Sequence, residues 1–312
     1  MSKRKLTAAD GAHVIAARLR KDLSALFELP CVPRDSPAAP QPASFRGTLY
    51  GYQCRSLARM LEIEQGQSLT VELGVHRATF VPKGGVVADT VGMGKTAQLI
   101  ALLLAQQPPA DALGYTLSAL VLTPEHLCHQ WRGELARFAG DALSVAILTN
   151  AEELTALSAA WQRGGRTGAP RVLVASLEFL CGQFDACLAA LALSRASRFD
   201  RLILDECHDA VLLNGGDSMR ALLHLRDRSR KVWCVTGTPF PQGDQSVFGL
   251  HQLLGVEVKF VIVNSPFMRT DRPLPREHPF EQLKRLVYLR NTPESVGGEV
   301  AASPCMYTRV HP

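Results

Sequence analysis

Val86-Val87-Ala88-Asp89-Thr90-Val91-Gly92-Met93-Gly94-Lys95-Thr96 is the stretch that decides how this chain folds. An apolar strand runs through a glycine-rich turn into a helix, an order that lets backbone N–H groups approach phosphate oxygens. In such a turn Lys95 supplies a point charge for the outer phosphates and Thr96 a hydroxyl for Mg²⁺. Asp89 stands where the general G-x-x-x-x-G-K-[ST] pattern has its first glycine. Taken alone, the segment also fits a coincidental Gly-Lys-Thr turn.

Two further segments narrow the choice. About 110 residues downstream, Arg201-Leu202-Ile203-Leu204-Asp205-Glu206-Cys207-His208 is an apolar strand delivering two acids at its C-terminal end. Ligand sites of open α/β sheets form at that edge. Asp205 is placed to hold Mg²⁺ directly or through water, and Glu206 to polarise an attacking water. A solvated loop start is the plainer alternative, and the phosphate loop upstream favours an ATPase. The third segment, Val232-Trp233-Cys234-Val235-Thr236-Gly237-Thr238-Pro239, is weak alone and specific only in this order.

Short apolar runs at Gly85–Ala88, Leu117–Leu122, Val145–Leu148, Val172–Ala175, Leu202–Leu204 and Val232–Val235 predict strands covered on both faces. Helical patterns at 52–64, 96–106, 125–138, 151–162 and 219–225 alternate with them. The expected fold is therefore α/β, a doubly wound, mostly parallel sheet with helices on both faces. Residues 1–29 read as an N-terminal amphipathic helix with its periodic run over 7–29, and 30–44 as a Pro-rich linker or wrap. Residues 45–263 read as the ATP-binding lobe, and 264–312 as a partly irregular C-terminal extension with one helix-like run, Phe280–Leu289.

Composition bounds the answer without giving it. With 46% hydrophobic and 20% charged residues over 312 positions, a disordered, collagenous or disulfide-stapled chain is excluded. The net charge of +5 is compatible with nucleic acid but does not argue for it. Eight cysteines without a C-x-x-C pair favour buried free thiols over zinc or disulfides. No apolar run reaches the ~20 residues of a membrane span, and a secretory h-region is lacking, so a soluble intracellular protein without membrane contact is expected. Trp131, Leu135 and Phe138 read as a core stripe, His126 and His129 as no metal site, and the basic cluster Arg220 to Lys231 as a solvated face.

In their order these segments resemble the Swi/Snf (sucrose non-fermenting) group of superfamily-two helicase-like ATPases. The resemblance covers roughly residues 45–260. Leu49-Tyr50-Gly51-Tyr52-Gln53 is similar to the family's first helix, 88–96 to its nucleotide loop, and Leu120-Val121-Leu122-Thr123-Pro124 with Gln130-Trp131 to motif Ia. Val172 to Glu178 resembles motif Ib, Asp205-Glu206-Cys207-His208 a DExH box, and Thr236-Gly237-Thr238-Pro239 motif III. The resemblance implies a P-loop NTPase, RecA-like lobe using ATP and Mg²⁺ as a DNA-dependent ATPase or translocase of the chromatin-remodelling or DNA-repair class. It assigns catalysis to Lys95, Asp205 and Glu206, and nucleotide contact to Gln53 (beside adenine), Asp89, Thr90, Gly92, Met93, Gly94, Lys95 and Thr96. Thr96 and Asp205 then hold the metal, while His208, Thr236, Gly237 and Thr238 couple nucleotide state. Thr123, Pro124, Ala175 and Ser176 lie along the backbone of double-stranded DNA. A nuclear location follows in a eukaryotic cell or host.

Three positions depart from the family's habit: Thr90 replaces an acid, Cys207 a small residue, and Arg290-Asn291 an arginine pair. Only 74 residues follow Thr238, without a Q-x-x-G-R-x-x-R motif. The expectation is thus a first lobe alone, completed by a second-lobe partner chain. The alternative is a truncated or split nucleotide-binding module without turnover that acts through a partner.

Overall fold

The computed structural model describes residues 27–73, 76–106, 115–164, 171–191, 198–208, 217–241, 244–256 and 279–299. The helix expected over 7–29 lies outside these residues except for its last three positions, and the described part of 264–312 is 279–299. Helices α1 (Gly51–Glu64), α2 (Lys95–Ala105), α3 (Glu125–Phe138), α4 (Ala151–Gly164), α5 (Leu177–Gly182), α6 (Phe184–Ala190), α7 (Asp217–Arg228) and α8 (Asp244–Leu253) alternate with strands. An antiparallel hairpin, β1 (Leu69–Leu73) with β2 (His76–Phe80), carries no signal in the reading above.

Seven parallel strands form the main sheet in the order β5-β6-β4-β7-β8-β3-β9. They are β3 (Gly84–Val87), β4 (Tyr115–Thr123), β5 (Val145–Leu148), β6 (Val172–Ser176), β7 (Arg198–Leu204), β8 (Ser229–Val235) and β9 (Tyr288–Leu289). Side chains alternate between the two faces along each strand with period two. Val86, Leu120, Leu173, Leu202 and Val232 face one core with α5, α7 and α8. Val87, Val121, Val174, Ile203 and Trp233 face the other with α1, α2 and α3. The doubly wound α/β reading holds, because strands without polar alternation can be buried only between two helix layers.

The strand order positions the site. After β3 the chain passes to β4 and leaves a gap of two strands, which β7 and β8 later fill. The C-terminal ends of β4, β7, β8 and β3 therefore stand side by side, with the three decisive segments along one edge.

A buried ion cluster fastens α1 to the central strands β7 and β8. Arg201 donates to both oxygens of Glu64 at 2.7 and 2.6 Å, to Asp200 at 2.6 Å and to the Gln106 carbonyl at 2.8 Å. Trp233 Nε1 donates a further bond to Glu64 at 2.9 Å. These partners hold the Glu64 carboxyl below the usual range although burial pushes it the other way.

One boundary reads differently in three dimensions. Residues 279–299 continue the lobe: α9 (Pro279–Val287) leads into β9, which adds a parallel edge strand beside β3, and α10 (Pro293–Val296) follows. Tyr288 and Leu289 end the helix-like run because both are buried in the sheet. The Pro-rich 30–44 segment is a wrap, tied by Val32 N–H to the Arg290 carbonyl at 2.9 Å and by Ala39 N–H to the Cys54 carbonyl at 3.0 Å. Burial pushes Cys128 up to about 12 and Cys187 to about 11, as expected of inert core thiols. Among the described residues no helix is long and apolar enough to cross a membrane, and no three His, Cys, Asp or Glu side chains group as metal ligands.

Candidate nucleotide site

The turn after β3 is made possible by Gly92 (φ 88°) and Gly94 (φ 71°), both in the left-handed region. Gly94 is the N-cap of α2 and makes no side-chain cap. Gln98 N–H takes the Gly94 carbonyl at 3.2 Å. The N–H groups ahead of that bond, in the first turn of α2, are those a helix leaves for an anion. Lys95 Nζ rests 3.2 Å from the Asp89 carbonyl at the mouth of this turn.

Asp89 does not face the solvent. It is fully buried, with Gln98 Nε2 donating to Oδ2 at 2.8 Å and Asn291 N and Nδ2 donating to Oδ1 at 2.7 and 2.9 Å. Burial pushes its carboxyl up to about 6, and these donors with Lys95 pull the other way. Gln53 is buried against the same loop: its Nε2 lies 3.3 Å from the Met93 carbonyl, and its Oε1 accepts Tyr50 N–H at 3.0 Å. Tyr52 Oη donates to that carbonyl at 2.8 Å. The loop is thus held from α1, and Thr90 N–H is tied to the Asn291 carbonyl at 3.0 Å.

Asp205 and Glu206 leave β7 in different directions. Asp205 turns toward β4 and α3: Oδ2 accepts Trp131 Nε1–H at 2.6 Å and lies 3.4 Å from Thr123 Oγ1, while Oδ1 accepts Glu206 N–H at 3.1 Å. Burial raises its carboxyl above the usual range, opposed by the Trp131 N–H and by the charge of Lys95. Glu206 takes φ 46°, the one positive φ at a non-glycine among the described residues. It turns toward β8, with Oε2 3.3 Å from His208 Nδ1. That nitrogen lies 2.9 Å from Thr236 Oγ1, which also accepts Thr238 N–H at 3.0 Å. Gly237 closes the circle: a Cβ there would lie 2.9 Å from Val91 Cγ2 and 3.8 Å from Lys95 Nζ.

Lys95, Asp89, Asp205, Glu206, His208 and Thr236 to Thr238 therefore share one edge. Thr96 is half-buried in the first turn of α2. The hydroxyl of Thr96 and the carboxylate of Asp205 are hard oxygen donors of the type Mg²⁺ takes, and Lys95 acts on the charge of both Asp89 and Asp205.

The four residues expected along DNA are turned inward. Thr123, Pro124, Ala175 and Ser176 are all buried. Thr123 faces Asp205, and Ser176 Oγ caps α5 through Phe179 N–H at 3.1 Å while donating to Glu178 at 2.8 Å. The hydroxyls of Thr123 and Ser176 are bonded within the lobe, at a strand end and a helix start. Sequence reasoning also missed two residues. Trp131 is core, as its stripe predicts, but its one polar atom serves Asp205. Asn291 had no signal beyond its departure from a pattern.

A family model described as SNF2-related domain matches residues 52–269. The chain is 26% identical over 215 residues to the chromatin-remodeling ATPase INO80 of Candida albicans, covering 68% of this chain and 14% of that protein. It is 25% identical over 197 residues to the DNA repair protein rad5 of Emericella nidulans, covering 56% and 16% respectively. The structure of the Sulfolobus solfataricus SWI2/SNF2 ATPase core in complex with dsDNA aligns with TM-score 0.56 and 18% identity, over 81% of this chain and 46% of that one. The last likeness shows the RecA-like fold; the chain spans a small fraction of the length of these curated relatives.

Proposed function

This chain belongs to the SNF2-related domain family, and we propose that it is the Mg-ATP-binding first lobe of a DNA-dependent ATPase of the translocase class. The observation that carries this reading is the convergence of Lys95, Asp205–Glu206 and Thr236–Thr238 on the adjacent strand ends β3, β7 and β8. The N–H groups opening α2 and the Lys95 ammonium bind and orient the phosphates. Gln53 keeps the loop in register on the adenine side. Thr96 and Asp205 would hold Mg²⁺, which when bound neutralises charge on the phosphates.

Glu206 orients the attacking water and accepts its proton. His208, between Glu206 and Thr236, reports the state of that carboxylate to the β8 turn. In phosphoryl-transfer enzymes an arginine finger contributes about 10³–10⁵ in rate, so full turnover needs arginines of a second lobe, on this or another chain. Double-stranded DNA is the proposed partner, held through its backbone without sequence readout. The exposed His126, His129 and Gln130 of α3 are the side chains this edge offers it. The chromatin-remodelling and repair relatives support a role where DNA is handled, in a eukaryotic cell the nucleus.

ATP binding and hydrolysis by the chain, with and without duplex DNA, test the reading, with Lys95→Ala as the blank. Slow hydrolysis that rises when a second lobe is supplied is the expected result. Nucleotide affinity that survives Lys95→Ala would overturn the phosphate-loop assignment. Tight binding with no turnover under any condition would favour the non-catalytic module.

A further inference from the structure

Asn291 stands outside the three motifs, just past the end of β9, and is 1% exposed. Both hydrogens of its amide are committed: Nδ2 donates one to Ser56 Oγ on α1 and one to Asp89 Oδ1, each at 2.9 Å. Its own N–H donates to the same Oδ1 at 2.7 Å, and its carbonyl accepts Thr90 N–H at 3.0 Å. Beside it, Arg290 Nη1 donates to the Ala88 carbonyl at 2.8 Å. Apart from the bond to Ser56, these contacts all go to Ala88-Asp89-Thr90, the three residues that lead into the glycine turn.

We propose that Asn291 is a positioning residue of the nucleotide site, holding the start of the phosphate loop in register with α1 and with the edge strand β9. The inference rests on the nucleotide reading above. Asp89 has no exposed surface, so a lost donor is not replaced by water, and its carboxylate must find partners within the protein. Its orientation fixes the backbone from which the loop's N–H groups point. The tie runs in both directions: a ligand that orders the loop must also order residues 288–292. The segment on which the chain leaves the sheet is therefore linked to nucleotide occupancy by direct bonds.

The test is binding of a fluorescent ATP analogue with Mg²⁺ to the full chain, alongside thermal unfolding. Asn291→Leu keeps the volume and removes both donors, and is expected to weaken binding roughly tenfold. Asn291→Asp sets a second carboxylate against Asp89 and should weaken it further. The exchange variant, Asp89→Asn with Asn291→Asp, returns an amide–carboxylate pair and should bind more tightly than Asn291→Asp alone. A purely structural role would lower the melting temperature without that rescue of affinity.

Binding by Asn291→Leu within twofold of the native chain, or an exchange variant no tighter than Asn291→Asp, would overturn the proposal. Where Asn291→Leu does not melt cooperatively, the comparison of Asn291→Asp with the exchange variant decides. Lys95→Ala separates the two levels. If it binds normally the nucleotide reading fails; if it abolishes binding while Asn291→Leu does not weaken it, only the role of Asn291 fails.

Discussion

Trp131→Phe isolates a single bond in the half of the site proposed to hold Mg²⁺. The change keeps a buried aromatic ring and deletes the N–H that meets Asp205 Oδ2 at 2.6 Å. Thr123 Oγ1, at 3.4 Å, is too distant to replace it, and Glu206 N–H occupies the other oxygen. A hydrogen bond to a charged group contributes about 1.5–3 kcal/mol. If that bond holds the carboxylate in its metal-binding orientation, its loss weakens Mg-nucleotide binding by roughly ten- to a hundredfold. The assay is titration of a fluorescent ATP analogue at increasing Mg²⁺, with affinity measured in excess chelator as the internal reference. Only the Mg²⁺-dependent part should fall, because the phosphate loop is untouched. A Mg²⁺ dependence within twofold of the native chain, in a variant that melts cooperatively, would refute the positioning of Asp205 by Trp131.

Glu206→Gln should retain Mg-ATP and lose whatever hydrolysis the chain supports, since an amide of the same shape cannot take the water's proton; equal loss of affinity and turnover would assign Glu206 a different role. Arg201→Met should cost about 3–5 kcal/mol in urea unfolding, because it strands Glu64 and Asp200 in the core, and a loss below 1 kcal/mol would show that Arg230 and Trp233 suffice. Asp89 gives a pH signature of definite sign: with its carboxyl raised from 3.8 to about 6, the apo fold is favoured below pH 4 and loses that advantage as pH rises through 6. The difference in unfolding free energy between the native chain and Asp89→Asn should change across that window and be flat above it, which paired denaturation curves at several pH values would reveal.

The sheet was legible because its strands are uninterrupted apolar runs separated by amphipathic helices, and each run is long enough to be read locally. Val145–Leu148 is bounded identically in sequence and structure. What local patterns could not carry was pairing across distance. β9 is two residues long and is a strand only because β3 lies beside it, so a helical period over 280–289 was the stronger local signal. The ligands of Asp89 come from positions 98 and 291, and no spacing rule connects them. Thr123 and Ser176 are hydroxyl residues at strand ends, a pattern that serves a helix cap as readily as a phosphate.

The pair Asp205-Glu206 shows what backbone geometry adds to a motif. Adjacent acids at a strand end read as one acidic unit. The left-handed φ of Glu206 sends the two side chains apart. A non-glycine residue there costs on the order of 1 kcal/mol, a cost that persists only where surrounding structure over-determines it. The turn sends Asp205 to an indole N–H and the Lys95 charge, and Glu206 to an imidazole that itself meets the β8 hydroxyl. One carboxylate is thereby held rigidly among donors suited to a metal ligand. The other stays beside a group that can pass on its state, which is what a proton acceptor coupled to motion requires. The different surroundings of these neighbouring acids follow from one backbone angle, and the proposed division of labour between them rests on it.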